Sequence, residues 1–331
     1  MQPSAGVVIC LVHIGARLPA ILHANVKYLM ELAPDARIVV ITDHQKKFNS
    51  SRVTVIEYHP TSEVVSLLER NPLKNFRRGF WGKSLLRLIA LGELEKKLGP
   101  NTPIVHLESD MLMFRTFPWL NSDNLDFHIA WMTLDEQVDM PGLIVGTASS
   151  FGWLAKKVML ELFKDPHVND MQALYRVREA NKTLVGVLPS ISRNRFFDKG
   201  LLSEASIKTV GIFDPAYYGQ WFIGEQPRNK WGLIARRRNL RNFLELDQSF
   251  LRVINSNLFF CNELGESFPI YSLHIHSKET RFFTTSLSKI EKRSEISQKN
   301  LFSMQGLLLR MADFFADGWN WLRKIIFFCT K

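Results

Sequence analysis

Strand-like apolar runs alternate with helix-like segments over the first 115 residues of this 331-residue chain. An alternation of this kind is typical of a parallel, doubly wound sheet whose crossovers are right-handed. The run at 7–12 is continuously apolar, as expected of a strand that is buried on both faces. The sequence therefore predicts an α/β fold with a mostly parallel central sheet flanked by helices. The predicted strands lie at 7–12, 37–43 and 53–57, and the predicted helices at 19–32 and 83–98.

Two carboxylates one residue apart follow the apolar run at 104–107, which predicts a further buried strand. Because residues i and i+2 of a strand point to the same side, Glu108 and Asp110 are expected to converge. They stand at the strand end, where an α/β sheet opens its ligand crevice. A hard divalent cation relieves the repulsion between two such groups and commonly brings substrate phosphates with it. The motif indicates a metal site, although capping or salt-bridged acids at a strand end would give the same pattern.

The charge of the chain limits the class of its partners. Lys and Arg number 42 against 32 Asp and Glu, which gives a net charge of +10. Such a balance favours polyanions, namely nucleic acid, an anionic membrane surface or phosphorylated substrates. The three cysteines are widely spaced and show neither a disulfide framework nor a zinc motif. Since no segment of the sequence is signal-like or long enough to span a membrane, we expect a protein on the cytosolic side.

The second half of the chain contains fewer regular segments. The segment 190–245 is rich in Arg, Asn, Gly and aromatic residues and has little periodicity, so we interpret it as a functional insertion. The pattern divides the chain into a first half at 1–115, a second half at 116–282 that completes the same domain, and a helical tail at 283–331. Strands are predicted at 127–131, 143–147, 184–189 and 270–278, and helices at 151–163 and 169–180.

Three short elements occur in an order that a known enzyme class shares. They are the acidic element at 108–110, a small-residue turn at 146–150 and the late element at 274–278, which reads His-Ile-His-Ser-Lys. Together with the alternating first half, they resemble the GT-A class of nucleotide-sugar glycosyltransferases over residues 5–280. The segments 80–84, 213–215 and 274–278 are most similar to bacterial enzymes that build surface polysaccharide or lipopolysaccharide. The first acid of the family's D-x-D motif is Asp, whereas this chain has Glu108.

The resemblance implies a GT-A-like, Rossmann-like fold and an enzymatic activity. The reaction would move a sugar from a nucleotide-diphosphate sugar to a growing cell-surface glycan or glycolipid of the lipopolysaccharide or capsule type. The half at 1–115 would hold the nucleotide sugar, and the half at 116–282 would hold the acceptor.

The resemblance also implies a divalent metal, Mn²⁺ or Mg²⁺, that bridges the diphosphate of the donor. Asp110 is the expected direct ligand, and Glu108 would contact the ribose or reach the metal through water. His276 would complete the metal shell, and Lys278 would hold the β-phosphate. His274 shares a strand face with His276, so either histidine could serve as the ligand.

Candidate nucleotide-binding residues follow the predicted strands and open the helix that precedes the acidic strand. Nucleotides bind at the carboxyl edge of such a sheet, and a helix N-terminus with nearby cations is a ready diphosphate site. No G-x-G-x-x-G fingerprint is present, which argues against a dinucleotide cofactor. A turn aspartate, a solvated basic cap and a core tryptophan are the alternative interpretations of Asp43, Lys83 and Trp81. The full set is His13, Gly15, Arg17, Asp43, Trp81, Lys83, Arg87, Glu108, Ser109 and Lys278.

A carboxylate is needed as a catalytic base if the reaction inverts the anomeric centre, because the acceptor hydroxyl must lose its proton. Asp170, which opens the helix after the small-residue turn, and Asp214 are the leading candidates, and Asp247 is a third. A helix-capping role would explain Asp170 equally well. If the reaction retains configuration, none of these residues needs to act as a base.

Apolar residues recur at helical spacing from 304 to the C-terminus, with basic residues and Trp319 and Trp321 among them. This pattern is typical of an amphipathic helix that lies on an anionic bilayer. A helix packed on the domain, or a dimer contact, would give the same spacing. We therefore expect a cytoplasmic protein that is peripheral on the inner face of the cytoplasmic membrane, with a lipid-linked or glycan acceptor.

Two other functions fit parts of the sequence. A nucleotidyltransferase acting on sugar phosphates has a similar sheet and acidic metal site, but it usually needs a glycine-rich basic loop after the first strand. Here that loop offers only Gly15 and Arg17. A non-enzymatic protein that binds polyanions or nucleic acid would explain the basic charge. The Lys and Arg residues are scattered, however, and form no recognised motif, so we expect no nucleic-acid partner.

Overall fold

The computed structural model describes residues 6–15, 17–44, 48, 50–71, 74, 79–115, 127–135, 138–190, 211–216, 218–223, 250–261 and 265–301. Within these ranges it contains strands β1 to β12, which in chain order are Val8–His13, Arg37–Thr42, Val53–Glu57, Pro103–Leu107, Met111–Met113, Ile129–Asp135, Val138–Thr147, Val185–Val187, Phe250–Ile254, Asn257–Cys261, Ser267–Pro269 and Ser272–His274. The helices α1 to α8 are Ala20–Leu32, Ser62–Glu69, Phe80–Ala90, Glu93–Lys97, Ala148–Lys164, Asp170–Ala180, Tyr218–Ile223 and Leu287–Leu301.

Seven strands form the central sheet in the order β3-β2-β1-β4-β7-β6-β8. Strand β7 runs antiparallel to both of its neighbours, β4 and β6, and every other neighbouring pair in this sheet is parallel. The predicted α/β class with a mostly parallel central sheet is therefore confirmed. Strands β1 to β4 come from the predicted first half, and β6 to β8 come from the second.

The apolar runs become strands because both faces of the sheet are covered. In β1, Val8, Cys10 and Val12 belong to one core layer, whereas Ile9 and Leu11 belong to the other. Helix α1 packs in the layer of Ile9, and helices α2 to α6 pack in the layer of Val8. A strand with a layer on each side has no solvent face, so its sequence is continuously apolar instead of alternating.

The predicted helix at 83–98 was wrong as one element, because the structure has α3 and α4 with a break at Leu91 and Gly92. The chain tightens there, and the Gly92 N–H donates to the Ile89 carbonyl at 3.0 Å. A β-carbon at Gly92 would lie 3.0 Å from the Ala155 β-carbon of α5. The close approach of α5 therefore explains the glycine at this position.

Two small sheets stand beside the central one. Strands β9, β10 and β11 form an antiparallel sheet, and β5 pairs with β12 in an antiparallel ribbon. Strands β9 to β11 were not predicted from the sequence. The predicted strand at 270–278 is confirmed only at β12, because the chain turns at His276 and Ser277. A third core cluster joins these strands to α7, α8 and the 3₁₀ helix Thr280–Thr284.

Parts of two predictions lie outside the described residues. They are the amphipathic tail from 304 onward and the positions 191–210, 217 and 224–245 of the proposed insertion. Asp247, the third candidate base, also lies outside the described residues. Among the helices in the described ranges, none combines the length and the apolar character needed to cross a membrane.

A buried ion pair fixes α6 to the central sheet. The Asp139 carboxylate of β7 accepts from Trp131 Nε1 at 2.7 Å and from Arg178 Nε and Nη2 at 2.9 and 3.1 Å. Burial raises the pKa of Asp139, although the bonds from Arg178 and Trp131 oppose that shift. The pair matters for the site because the other end of α6 carries Asp170.

Arg178→Met should lower the free energy of unfolding by roughly 2–4 kcal/mol, because it leaves the buried Asp139 carboxylate without its cation. The same replacement at Arg176 is the matched control. Arg176 lies on the same helix and pairs with Asp165, but both side chains are about one-third exposed. Arg176→Met should cost less than about 1 kcal/mol. Urea unfolding measures both variants, and equal losses would contradict the buried pair's role.

Candidate functional site

The two acids converge because the chain turns after β4. The strand ends at Leu107, and Ser109 and Asp110 form a turn that leads into β5. The Glu108 N–H donates to the Gly142 carbonyl at 2.9 Å, and the Met111 N–H donates to the Glu108 carbonyl at 3.0 Å. The predicted convergence is therefore present, but the expected strand alternation through Asp110 was wrong.

His274 completes a compact group with the two acids. One ligand atom from each of Glu108, Asp110 and His274 lies within 4.8 Å of the other two, and all three residues are buried. His274 Nε2 is 2.8 Å from Asp110 Oδ2 and 3.6 Å from Glu108 Oε2. The antiparallel ribbon explains this contact, since β12 places His274 opposite Met111, next to Asp110.

The structure brings His274, and not His276, into this group. His276 Nε2 lies 3.0 Å from the Ala216 carbonyl oxygen and 3.0 Å from Gln220 Nε2. The rings of His274 and His276 are neighbours, with centroids 4.2 Å apart. Of the two histidines that the sequence left open as the metal ligand, the geometry favours His274.

Cations surround the acidic pair. Arg87 Nη2 of α3 is 2.6 Å from Glu108 Oε1 and 3.9 Å from Asp170 Oδ2. The Lys278 ammonium donates to Asp110 Oδ2. Burial by itself would raise the pKa of Glu108, but the charges of Arg87, His274 and Lys278 outweigh it and lower that pKa. Glu108 is therefore held as a carboxylate.

Lys278 reaches Asp110 from an unusual backbone position. Its φ is 57°, in the left-handed region that side-chain-bearing residues seldom adopt. Desolvation lowers the pKa of Lys278 to about 8, and the Glu108 carboxylate opposes that shift. The turn after β12 thus places the Lys278 ammonium at the acidic pair. Lys278 is also the residue that the resemblance assigns to the β-phosphate.

Asp170 lies on the other side of Arg87. Asn169 caps α6, since its side chain accepts from the Gln172 N–H at 2.8 Å, so Asp170 is not needed as the cap. Asp170 is buried, and among the described residues its Oδ1 has no hydrogen-bond partner. Desolvation raises its pKa to about 6, although the Arg87 charge opposes the shift. A carboxyl group of this kind can accept or release a proton near neutral pH.

The loops after β1 and β2 meet at the same edge of the sheet. The Gly15 N–H donates to both oxygens of Asp43 at 3.1 Å, and φ of Gly15 is 150°. His13 Nε2 lies 2.9 Å from the Arg17 carbonyl oxygen. A β-carbon at Gly15 would lie 3.8 Å from Lys83 Nζ, so α3 contributes a cation here. Five of the residues that the sequence predicts to bind the nucleotide therefore lie together at this edge of the sheet. They are His13, Gly15, Arg17, Asp43 and Lys83.

Trp81 and Ser109 have structural contacts in addition to any binding role. Trp81 is half-buried beside the exposed Phe80, with ring centroids 4.9 Å apart. The carbonyl of Ser109 accepts from Asn25 Nδ2 at 3.1 Å. Both remain predictions as nucleotide-sugar contacts.

Asn25 is a site residue that the sequence analysis missed. It is fully buried in α1, and its Nδ2 also donates to the Met111 carbonyl at 3.0 Å. The side chain therefore donates hydrogen bonds to the turn on both sides of Asp110. The sequence does indicate Asn25, because it is the polar residue on the apolar face formed by Ile21, Leu22, Val26 and Leu29. A lone amide on such a face needs a buried partner.

Asp214 has a different surrounding from Asp170. It is fully buried, and its carboxylate accepts from the backbone N–H groups of Tyr218, Gly219 and His274 at 2.9, 2.7 and 2.8 Å. Burial raises its pKa, and the three backbone bonds oppose that shift. The structure places it against the backbone of β12, behind His274.

The donor set fits a divalent metal. Two carboxylates and one imidazole are ligands that Mn²⁺ accepts, and Mg²⁺ is bound through carboxylates with water and phosphate oxygens. Arg87 and Lys278 already pair with the two acids, so a bound metal would compete with these contacts. The residues that would hold a metal are Glu108, Asp110 and His274.

No protein-family model and no curated protein matches the chain. Similar solved structures include the galactosyltransferase LgtC in complex with donor and acceptor sugar analogues, 14% identical over 51% of this chain and 70% of that chain, with a TM-score of 0.39. The glycosyltransferase GlyE of Streptococcus pneumoniae TIGR4 is 10% identical over 94% of this chain and 63% of that chain, with a TM-score of 0.41. Mouse xyloside xylosyltransferase 1 is 12% identical over 54% and 84%, with a TM-score of 0.34.

The raised pKa of Asp170 predicts a pH dependence of stability. Below its ordinary pKa of 3.8 the folded state keeps the favourable protonated carboxyl, and this contribution is lost as the pH rises to about 6. In the wild type, Asp170 lowers the free energy of unfolding as the pH rises from about 4 to 6. Asp170→Asn should remove this decrease, which is on the order of 1–3 kcal/mol.

Asp165→Asn is the control for this measurement, because Asp165 is on the surface and its bond from Arg176 lowers its pKa. That variant should not reduce the loss between these pH values. Urea unfolding over a pH series measures both variants. A wild-type pH dependence in Asp170→Asn would contradict the effect of burial on this carboxyl group.

Proposed function

We propose that this chain is a metal-dependent glycosyltransferase that moves a sugar from a nucleotide-diphosphate sugar to an acceptor hydroxyl. The observation that carries the proposal is the group of Glu108, Asp110 and His274, whose ligand atoms lie within 4.8 Å of one another. The group stands at the carboxyl end of β4, the edge at which open α/β sheets bind their ligands. Arg87 and Lys278 flank it with positive charge.

Glycosyl transfer expels a nucleoside diphosphate, so negative charge develops on the leaving group. A metal held by Glu108, Asp110 and His274 would supply positive charge to that diphosphate. Lys278 lies at Asp110, within the same small space, and is available to pair with a phosphate oxygen. The concentration of cations around buried acids is what a doubly charged leaving group requires.

The nucleotide would lie over the loops after β1 and β2. Gly15 and Asp43 close the two loops against each other, and Lys83 projects toward the same point. The acidic group stands one strand away, because β4 is the neighbour of β1 in the sheet. A nucleotide that spans these strands would place its diphosphate between Lys83 and Lys278.

Asp170 is the acid that we assign to the reacting sugars. It is buried beside Arg87, and its pKa of about 6 lies near the operating range of a general base. In an inverting reaction it would take the proton of the acceptor hydroxyl. In a retaining reaction no base is required, and Arg87 would hold the carboxylate as a fixed polar contact for the substrate.

The acceptor that we propose is a growing cell-surface glycan or glycolipid of the lipopolysaccharide or capsule type. The resemblance of the segments at 80–84, 213–215 and 274–278 supports this class of acceptor. The net charge of +10 and the apolar and basic spacing after residue 304 support work at the inner face of the cytoplasmic membrane.

Thermal-shift titration with UDP, GDP, CDP and ADP, each with and without Mn²⁺, tests the proposal. One nucleotide should stabilise the wild-type protein only when Mn²⁺ is present, by about 2.7 kcal/mol at 100 times its Kd. Asp110→Asn should abolish this stabilisation and sugar transfer, because it removes a charged metal ligand. Asp165→Asn, which changes the net charge equally on the surface, should keep both.

Other outcomes contradict specific parts of the proposal. A nucleotide shift without metal would contradict metal dependence and assign the phosphates to Lys83, Arg87 and Lys278. No shift with any of the four nucleotides would contradict the glycosyltransferase and make the acidic pair a structural feature.

A further inference from the structure

Asp214 connects three backbone segments with one carboxylate. Its Oδ1 accepts from the Tyr218 N–H at 2.9 Å, and its Oδ2 accepts from the Gly219 N–H at 2.7 Å. The same Oδ2 accepts from the His274 N–H at 2.8 Å. Tyr218 and Gly219 begin α7, whereas His274 ends β12, so the carboxylate ties the helix to the strand.

The contact between α7 and β12 leaves no room for a side chain. A β-carbon at Gly219 would lie 1.9 Å from the His274 carbonyl oxygen and 2.9 Å from Asp214 Oδ2. The backbone of α7 therefore packs directly on the peptide group of His274. The same segment is held at its start by the bridge between Ile212 and Ile270.

His274 is thus fixed from two directions. On one side, pairing with β5 sets its position opposite Met111. On the other side, Asp214 holds its N–H. Its imidazole must meet Asp110 at 2.8 Å and Glu108 at 3.6 Å, so a small movement of the backbone would open the group.

We infer that Asp214 is a positioning residue for His274, and that it acts through the backbone of that histidine and not as a catalytic base. Both carboxylate oxygens accept backbone N–H groups in a fully buried place, whereas a base must present an oxygen to the substrate. Groups that hydrogen-bond a ligating imidazole directly orient it, and their loss weakens metal binding by about 10–100-fold; Asp214 would orient the same ring through its backbone. The inference rests on the proposed function, because it takes His274 as a metal ligand.

Direct Mn²⁺ titration, with free Mn²⁺ followed by electron paramagnetic resonance, tests the inference. Asp214→Asn should weaken Mn²⁺ binding by about 10–100-fold, because its amide places a donor against at least one backbone N–H. Ser272→Ala is the matched control. It removes another buried polar group from β12, near the Asp214 backbone, but it leaves the three bonds to the carboxylate. Its Mn²⁺ affinity should stay within about threefold of the wild type.

A double-mutant cycle separates positioning from a general structural effect. In the His274→Ala background, Asp214→Asn should cause no further loss of Mn²⁺ affinity, because its effect passes through His274. An equal loss in both backgrounds would overturn the inference. Asp214→Ser, which buries no amide donor, replaces Asp214→Asn if circular dichroism shows that the latter is unfolded.

The results also distinguish this inference from the proposed function. If the wild-type protein binds no Mn²⁺ with or without nucleotide, the metal site itself is wrong. If the wild type and Asp214→Asn bind Mn²⁺ equally, only the positioning role is wrong. Normal Mn²⁺ and nucleotide binding with lost turnover in Asp214→Asn would instead identify Asp214 as the base.

Discussion

Repulsion between two buried carboxylates, Glu108 and Asp110, is the interaction around which the site is organised. Neither acid can remain ionised in a buried place without compensating charge. Arg87 meets Glu108 at 2.6 Å, Lys278 meets Asp110, and the His274 imidazole lies between the acids. The compensating charges come from separate elements, Arg87 from helix α3 and Lys278 from the turn after β12, so the compensation depends on both elements being in place.

The sheet explains why these elements meet. Parallel strands bring their carboxyl ends to one edge, and the loops of Gly15, Asp43 and the acidic turn therefore share that edge. Helix α3 covers one face of the sheet and carries Lys83 and Arg87 to it. Helix α6 lies in the same layer and presents Asp170 at its first turn. The loops of Gly15 and Asp43, the acidic turn and the Asp170 carboxyl are thus ordered along the edge by the order of the strands and the placement of α6.

The sequence predicted best those elements that are determined by residues close together in the chain, such as apolar strands and helix caps. The runs at 37–43 and 53–57 became β2 and β3 nearly residue for residue. Strand β2 is buried from Ile38 to Thr42, as its apolar run predicts, whereas β3 lies at the edge of the sheet and exposes Thr54 and Glu57. The pair Asn169 and Gln172 formed a capping box, which the local spacing also permits. By contrast, the apolar residues of β9 to β11 pack against helices α7 and α8, which are distant in sequence, so no local pattern predicts the sheet.

The site was predictable in its residue types but not in its partners. The choice between His274 and His276 depends on the register of a three-residue strand against β5, and the two strands are held together by contacts between distant parts of the chain. His274 and Asp110 are 164 residues apart in sequence. No local periodicity distinguishes the two histidines, because residues i and i+2 of a strand lie on the same face.

Two buried polar side chains, Asn25 and Asp214, supply what the short strands lack. Each one bonds to backbone atoms next to a member of the acidic group, Asn25 at the turn around Asp110 and Asp214 at His274. Three-residue strands contribute few ladder bonds, so their register is weakly fixed by pairing alone. A buried amide or carboxylate that loses its backbone partner lowers the free energy of unfolding. A strand register that breaks these bonds is therefore disfavoured. Asn25 and Asp214 therefore add fixed contacts to the backbone around Asp110 and His274, where strand pairing alone provides few.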